Sequence, residues 1–97
     1  MANALVSIQI IPRTKNGGDP IPYIDEAISV IINSGVKYQV NPLETTMEGD
    51  LHELLAIVEK MNERMVELGA PSIISQIKVY FNPEEGASMD QLTEKYR

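Results

Sequence analysis

Gly35-Val36-Lys37-Tyr38-Gln39-Val40-Asn41-Pro42-Leu43-Glu44-Thr45-Thr46-Met47-Glu48-Gly49-Asp50 is the stretch on which the fold turns. Val36 to Asn41 alternates apolar and polar residues and halts at Pro42. Thr45 to Gly49 is a second short extended run, so the two read as a hairpin around Pro42-Leu43-Glu44. Asp50 then opens a helix, its carboxylate capping the first turn while Glu53, three residues on, completes a capping box. A helix ends before these two strands and another begins after them, and each helix is flanked on its other side by a further strand pattern.

Upstream, Gly35 supplies the left-handed stop of a helix that starts with Asp19 as N-cap and Pro20 at the first helical position, where a missing N–H is harmless. Ile21, Ile24, Ile28 and Ile31 give that helix its apolar stripe, to about Ser34. Before it, Leu5 to Ile11 alternates, with Val6, Ile8 and Ile10 on one face and Leu5, Ser7, Gln9 and Ile11 on the other, until Pro12. Arg13 to Asp19 is a loop marked by Asn16-Gly17-Gly18. Downstream, Leu51, Leu54, Leu55, Val58, Met61, Met65 and Leu68 form the second helical stripe, closed by Gly69 and Pro71. Ile73 to Phe81 is the last strand, with Ile73, Ser75, Ile77, Val79 and Phe81 facing one way and Ile74, Gln76, Lys78 and Tyr80 the other. Ser88 and Gln91 frame a short tail helix with Met89, Leu92 and Tyr96 along one side.

Strand, helix, strand, strand, helix, strand with right-handed crossovers gives an α+β, ferredoxin-like βαββαβ plait. It is a single domain over residues 1–97: a four-stranded antiparallel sheet, two helices on one face, and a short C-terminal helix. Two helices cover only one side of the sheet. By parity the other side carries Ser7, Gln9, Ile11, Thr46, Glu48, Gln76, Lys78 and Tyr80, with Leu5 and Ile74 among them. Apolar residues interleaved with hydrogen-bonding groups suit contact with another subunit, which is expected to cover this face or an edge of the sheet, and a small polar ligand fits the same seam.

Composition narrows the chemistry. The 97 residues contain no cysteine and one histidine, which removes disulfides, thiolate nucleophiles and thiolate metal sites. Eight basic against 14 acidic residues give a net charge of −6, without a basic stripe to attract a nucleic-acid backbone. The five aromatics, Tyr23, Tyr38, Tyr80, Phe81 and Tyr96, do not form a base-stacking strand motif. No apolar run approaches the roughly 20 residues that cross a bilayer, and Met1 to Gln9 lacks the basic start of a secretory signal, so the expected location is the cytoplasm.

The segment Tyr38 to Asp50 closely resembles the motif of the small thiamine-binding proteins, relatives of the hydroxymethylpyrimidine/thiamine carriers. The resemblance extends to Val6–Pro12 and to the Gly69-Ala70 to Ile77 passage, most of the chain. It implies a ferredoxin-like fold, a homodimer or homotetramer assembled through sheets, and thiamine or its pyrimidine moiety bound at subunit junctions; it implies no established catalytic activity, and no cofactor or metal is expected.

Thr45, Thr46, Glu48, Ser7 and Gln9 can serve the amine donor and ring-nitrogen acceptors of an aminopyrimidine. Tyr38 or Tyr80 can present an aromatic face to a thiazolium cation, although Tyr38 shares parity with Val36 and Val40 and so also suits core packing. Glu48 has a plainer reading as one half of a surface pair, for instance with Lys78. His52, in the first turn of the second helix, receives no role. Two other functions compete: a structural or regulatory oligomer without a ligand, and an acylphosphatase-like hydrolase. The latter would bind an anion in the Arg13–Asp19 loop, with Arg13 and Asn41 as its candidates, but Asp19 already holds the helix cap and Pro20 removes a donor.

Overall fold

A computed structural model describes residues 1–97. Its elements are β1 (Ala4–Arg13), α1 (Ile21–Ser34), β2 (Lys37–Val40), β3 (Thr45–Gly49), α2 (Leu51–Glu67), β4 (Ser72–Phe81) and α3 (Met89–Thr93). The strands lie in the order β2-β3-β1-β4, all antiparallel. This is the ferredoxin-like arrangement expected from the order of elements, with β1 and β3 central.

Register fixes which side chains enter the core. Val6 lies opposite Met47 and Val79, and Ile8 opposite Thr45 and Ile77. Ala4, Val6, Ile8 and Ile10 thus point from β1 into the helix layer, where they meet Ala27 and Ile31 of α1 and Leu54, Ile57, Val58, Met61 and Met65 of α2. On α2 the apolar face differs from the expected stripe: Ile57 is 3% exposed and Leu55 39%. At 100° per residue, position 57 returns to the side of 54, 58 and 61, whereas 55 turns away from it.

The helix ends follow local chemistry. The Asp19 carboxylate accepts from the Ile21 N–H at 3.0 Å, and Gly35 (φ 83°) closes α1. Asp50 accepts from the Glu53 N–H, as read from the sequence, but a residue far along the chain completes the cap. Asn3 Oδ1 accepts from the Leu51 N–H at 2.9 Å while Asn3 Nδ2 donates to Asp50 Oδ1 at 3.2 Å, tying the start of β1 to the start of α2. At Gly49 a Cβ would come within 3.2 Å of Leu54 Cδ2, so the bare backbone lets α2 fold back closely over the end of β3.

Pro12 does not end β1. The strand continues to Arg13, paired with Ser72 of β4, because the side of β1 where β3 would lie has no partner strand beyond Ile8 and a missing N–H there breaks no ladder. No helix is long and apolar enough to cross a membrane. Ile57 is buried on α2, so Ile57→Ala should lower unfolding free energy by about 2–5 kcal/mol, whereas Leu55→Ala should change it by about 0.5 kcal/mol; urea denaturation of both variants checks the assignment of the α2 face.

Candidate functional site

The length difference between the central strands opens a hollow at the end of the sheet. β3 starts at Thr45, opposite Ile8, while β1 runs on through Gln9, Ile10, Ile11, Pro12 and Arg13 with β4 alone beside it. The space that β3 leaves is bounded by the β2–β3 loop on one side and the first turns of α1 on the other. A groove of about 310 Å³ results, walled by Ile8, Ile10, Pro12, Pro20, Ile24, Ile28, Val40, Pro42, Leu43 and Met61. Its polar lining consists of Gln9, Asn41, Glu44 and Thr45. The loop is held by the Asn41 N–H donating to the Glu44 carbonyl at 3.0 Å.

A second hollow of about 470 Å³ lies beside it, lined by Gln9, Leu43, Glu44, Gln76, Ile77 and Lys78. Gln9, Leu43 and Glu44 belong to both, so the tip of the β2–β3 loop lies between two adjoining spaces. The Glu44 carboxylate takes part in none of the three ion pairs of the chain, which are Lys37–Asp90, Arg64–Glu26 and Arg64–Glu67. Thr45 is buried, with its side chain directed by the β1–β3 register into the helix layer beside Ile8.

The six candidate residues divide into three groups. Gln9 and Thr45 line the end groove together. Ser7, Thr46 and Glu48 lie on the side of the sheet away from α1 and α2, Ser7 being opposite Thr46. Tyr38 is opposite Met47 on the helix side of the outermost strand and lines neither hollow. Asn41 and Glu44 enter the site although sequence parity did not select them; their place in a turn directly before Thr45 was the available signal. Of the hydrolase candidates only Asn41 lines the groove. His52 is exposed at the start of α2.

The far side of the sheet is not bare along its whole length. The tail folds back over it, burying Ala87 and Met89 against Leu5. Glu48 is the anchor: its Oε1 accepts from the Met89 N–H at 2.8 Å, while Ser88 Oγ accepts from the Gln91 N–H at 3.2 Å. A pairing of Glu48 with Lys78 is absent because β1 separates β3 from β4. Lys37 bonds Asp90, and Arg97 donates to Gln39 Oε1 at 3.1 Å. Leu92 and Tyr96 remain largely exposed, so Met89 alone of the expected tail stripe is buried.

The chain is matched by the family model described as thiamine-binding protein over residues 6–97. It belongs to that family. A UPF0045 protein of Clostridium perfringens is 40% identical over 92 residues, 95% of each chain. Among solved structures, a DUF77 domain from Bacillus cereus superposes with a TM-score of 0.92 at 36% identity, covering 100% of this chain and 93% of that one. A Thermotoga maritima protein with a proposed role in thiamine biosynthesis or salvage superposes with a TM-score of 0.85 at 28% identity, covering 98% and 99% of the two chains.

The tail contacts generate a pH prediction. Hydrogen bonding to Lys37 holds the Asp90 carboxyl below its ordinary value of 3.8, and the same bond holds Lys37 above 10.5. The Asp90 contribution to docking is therefore present above pH 3.8 and lost as pH falls through its lowered value, while the Lys37 contribution is lost only above 10.5. Tail resonances followed by NMR should stay constant through neutrality and shift in acid, and Asp90→Asn should remove the Asp90 step. Because a hydrogen bond to a charged acceptor contributes about 1.5–3 kcal/mol, Glu48→Ala should speed amide exchange at Met89 by roughly tenfold or more.

Proposed function

We propose that this protein binds thiamine or a related aminopyrimidine in the end groove, without chemically converting it, as a cytoplasmic homo-oligomer. The observation that carries the reading is the groove itself. Apolar walls, including Pro12, Pro20, Ile24, Ile28 and Pro42, accompany a small set of polar groups, Gln9, Asn41, Glu44 and Thr45. An aminopyrimidine needs an acceptor for its exocyclic amine and donors for its ring nitrogens. Glu44 supplies the acceptor; the Thr45 hydroxyl and the Asn41 and Gln9 amides supply the donors. The thiamine-related role proposed for the Thermotoga maritima neighbour supports the same ligand class. In this reading Ser7, Thr46 and Glu48 organise the face on which the tail sits, and Tyr38, expected to suit core packing, instead lies exposed on the β2 edge.

Association is assigned to β4. It is a ten-residue edge strand, long for an unprotected edge, and its side chains are exposed on both faces: Ile77, Val79 and Phe81 on one, Ile74 and Tyr80 on the other. Lys78 is its one charge. Such an edge offers unpaired N–H and C=O groups to a second strand. A copy paired there would also wall the open-side hollow, which already includes Gln76, Ile77 and Lys78 of β4. The β2 edge has only four residues.

Titration calorimetry of the ligand-free protein with thiamine and hydroxymethylpyrimidine tests the ligand. Binding is expected, and Thr45→Val should weaken it roughly three- to tenfold, as loss of one hydrogen bond contributes about 0.5–1.5 kcal/mol; absence of heat with both compounds would leave a ligand-free structural oligomer as the better reading. Light scattering should give a multiple of the protomer mass for the wild type and the single-protomer mass for Val79→Lys. A wild-type protomer mass in dilute solution would contradict the assembly.

A further inference from the structure

The groove combines walls that suit an uncharged ring with a one-sided electrostatic character. Among its lining residues Glu44 is the only charged one, and no cation in the chain pairs with it. A helix N-terminus bordering a cavity ordinarily offers free N–H groups and partial positive charge to an anion. At α1 that provision is reduced to the N–H of Tyr23. The Asp19 carboxylate already accepts from the Ile21 N–H, and Pro20 and Pro22 carry no N–H. Pro20 is itself part of the groove wall. Arg13 and Lys15, the cations of the neighbouring loop, are outside both linings. Lys78 lines the adjoining hollow on the open side, but there too Glu44 is a wall residue, so an anion near Lys78 has a carboxylate for a neighbour. The net charge of −6 adds a weak repulsion in the same direction.

We infer that Glu44 makes the groove selective for charge, admitting the unphosphorylated cationic form of its ligand and excluding phosphate esters of the same molecule. The inference rests on the binding reading above and adds the discrimination within the ligand class. Glu44 is here a specificity-determining residue: its carboxylate attracts the amine and the ring cation, and meets a phosphate ester with like charge. The interaction lies at a partly solvated loop, so added salt should screen it over about 8–10 Å at physiological strength and weaken the selection.

Calorimetry with thiamine, thiamine monophosphate and thiamine diphosphate, at low and high salt, on the wild type, Glu44→Gln and Glu44→Lys, tests this directly. The wild type should bind thiamine at least about tenfold more tightly than the diphosphate at low salt, with the ratio shrinking at high salt, as expected of charge discrimination. Glu44→Gln should weaken thiamine and bring the ratio close to one; Glu44→Lys should reverse the order. Retention of the wild-type urea midpoint by both variants establishes that the groove is intact. Equal affinity of the wild type for the three compounds, tighter binding of the diphosphate, or an unchanged ratio in Glu44→Gln overturns the inference while leaving the binding reading in place. If none of the three compounds binds the wild type, the binding reading falls and this inference falls with it.

Discussion

The constraint on which the architecture depends is that β1 outruns its central neighbour. Ten residues of β1 face five of β3, and the two part after Ile8 opposite Thr45. Up to that point the register packs Val6, Ile8, Met47 and Thr45 under the helices. Beyond it, the helix layer and the β2–β3 loop close over a gap instead of a strand. The core explains why the gap persists: filling it would mean sliding β3 along β1, and a one-residue slip would carry Met47 out of the core and Glu48 into it. The groove is thus a consequence of pairing that the buried face enforces.

Much of this was legible because it is local. Alternation in β1 and β4, the Asp19 and Asp50 caps, the Gly35 stop and the prolines of the loops each act over a few residues, and together they give the βαββαβ order. Long-range choices were not legible. Asn3 completes the α2 cap from 48 residues away, and nothing in its local sequence marks it. Leu55 and Ile57 are equally apolar, so assigning the buried one requires the phase of α2 against the sheet. Pro12 reads as a strand terminator until the end of β3 is known.

The site was legible by residue type and only in part by place. Sequence parity put Gln9 on one face of the sheet and Thr45 on the other, yet both line one groove because it lies at the sheet's end, where faces cease to separate side chains. Glu48 looked like a free carboxylate on an uncovered face; instead it receives the Met89 amide and fixes the tail. Its neighbour in the motif, Glu44, pairs with no cation and lines the groove. Three places on the molecule therefore differ in character: the tail shields Leu5 on the far face, β4 is left as an exposed apolar edge, and polar groups gather with apolar walls at the loop between β2 and β3.

The central claim is that the groove made by the unequal central strands holds the ligand. Its most direct test is a backbone and methyl NMR titration of the assigned protein with thiamine. Shift changes are expected at Gln9, at Asn41 to Thr45, and at the methyl groups of Ile24 and Ile28, with Leu5, Ala87 and Met89 unmoved. Changes centred instead on Thr46, Glu48 and the tail would place the ligand on the far face and contradict it.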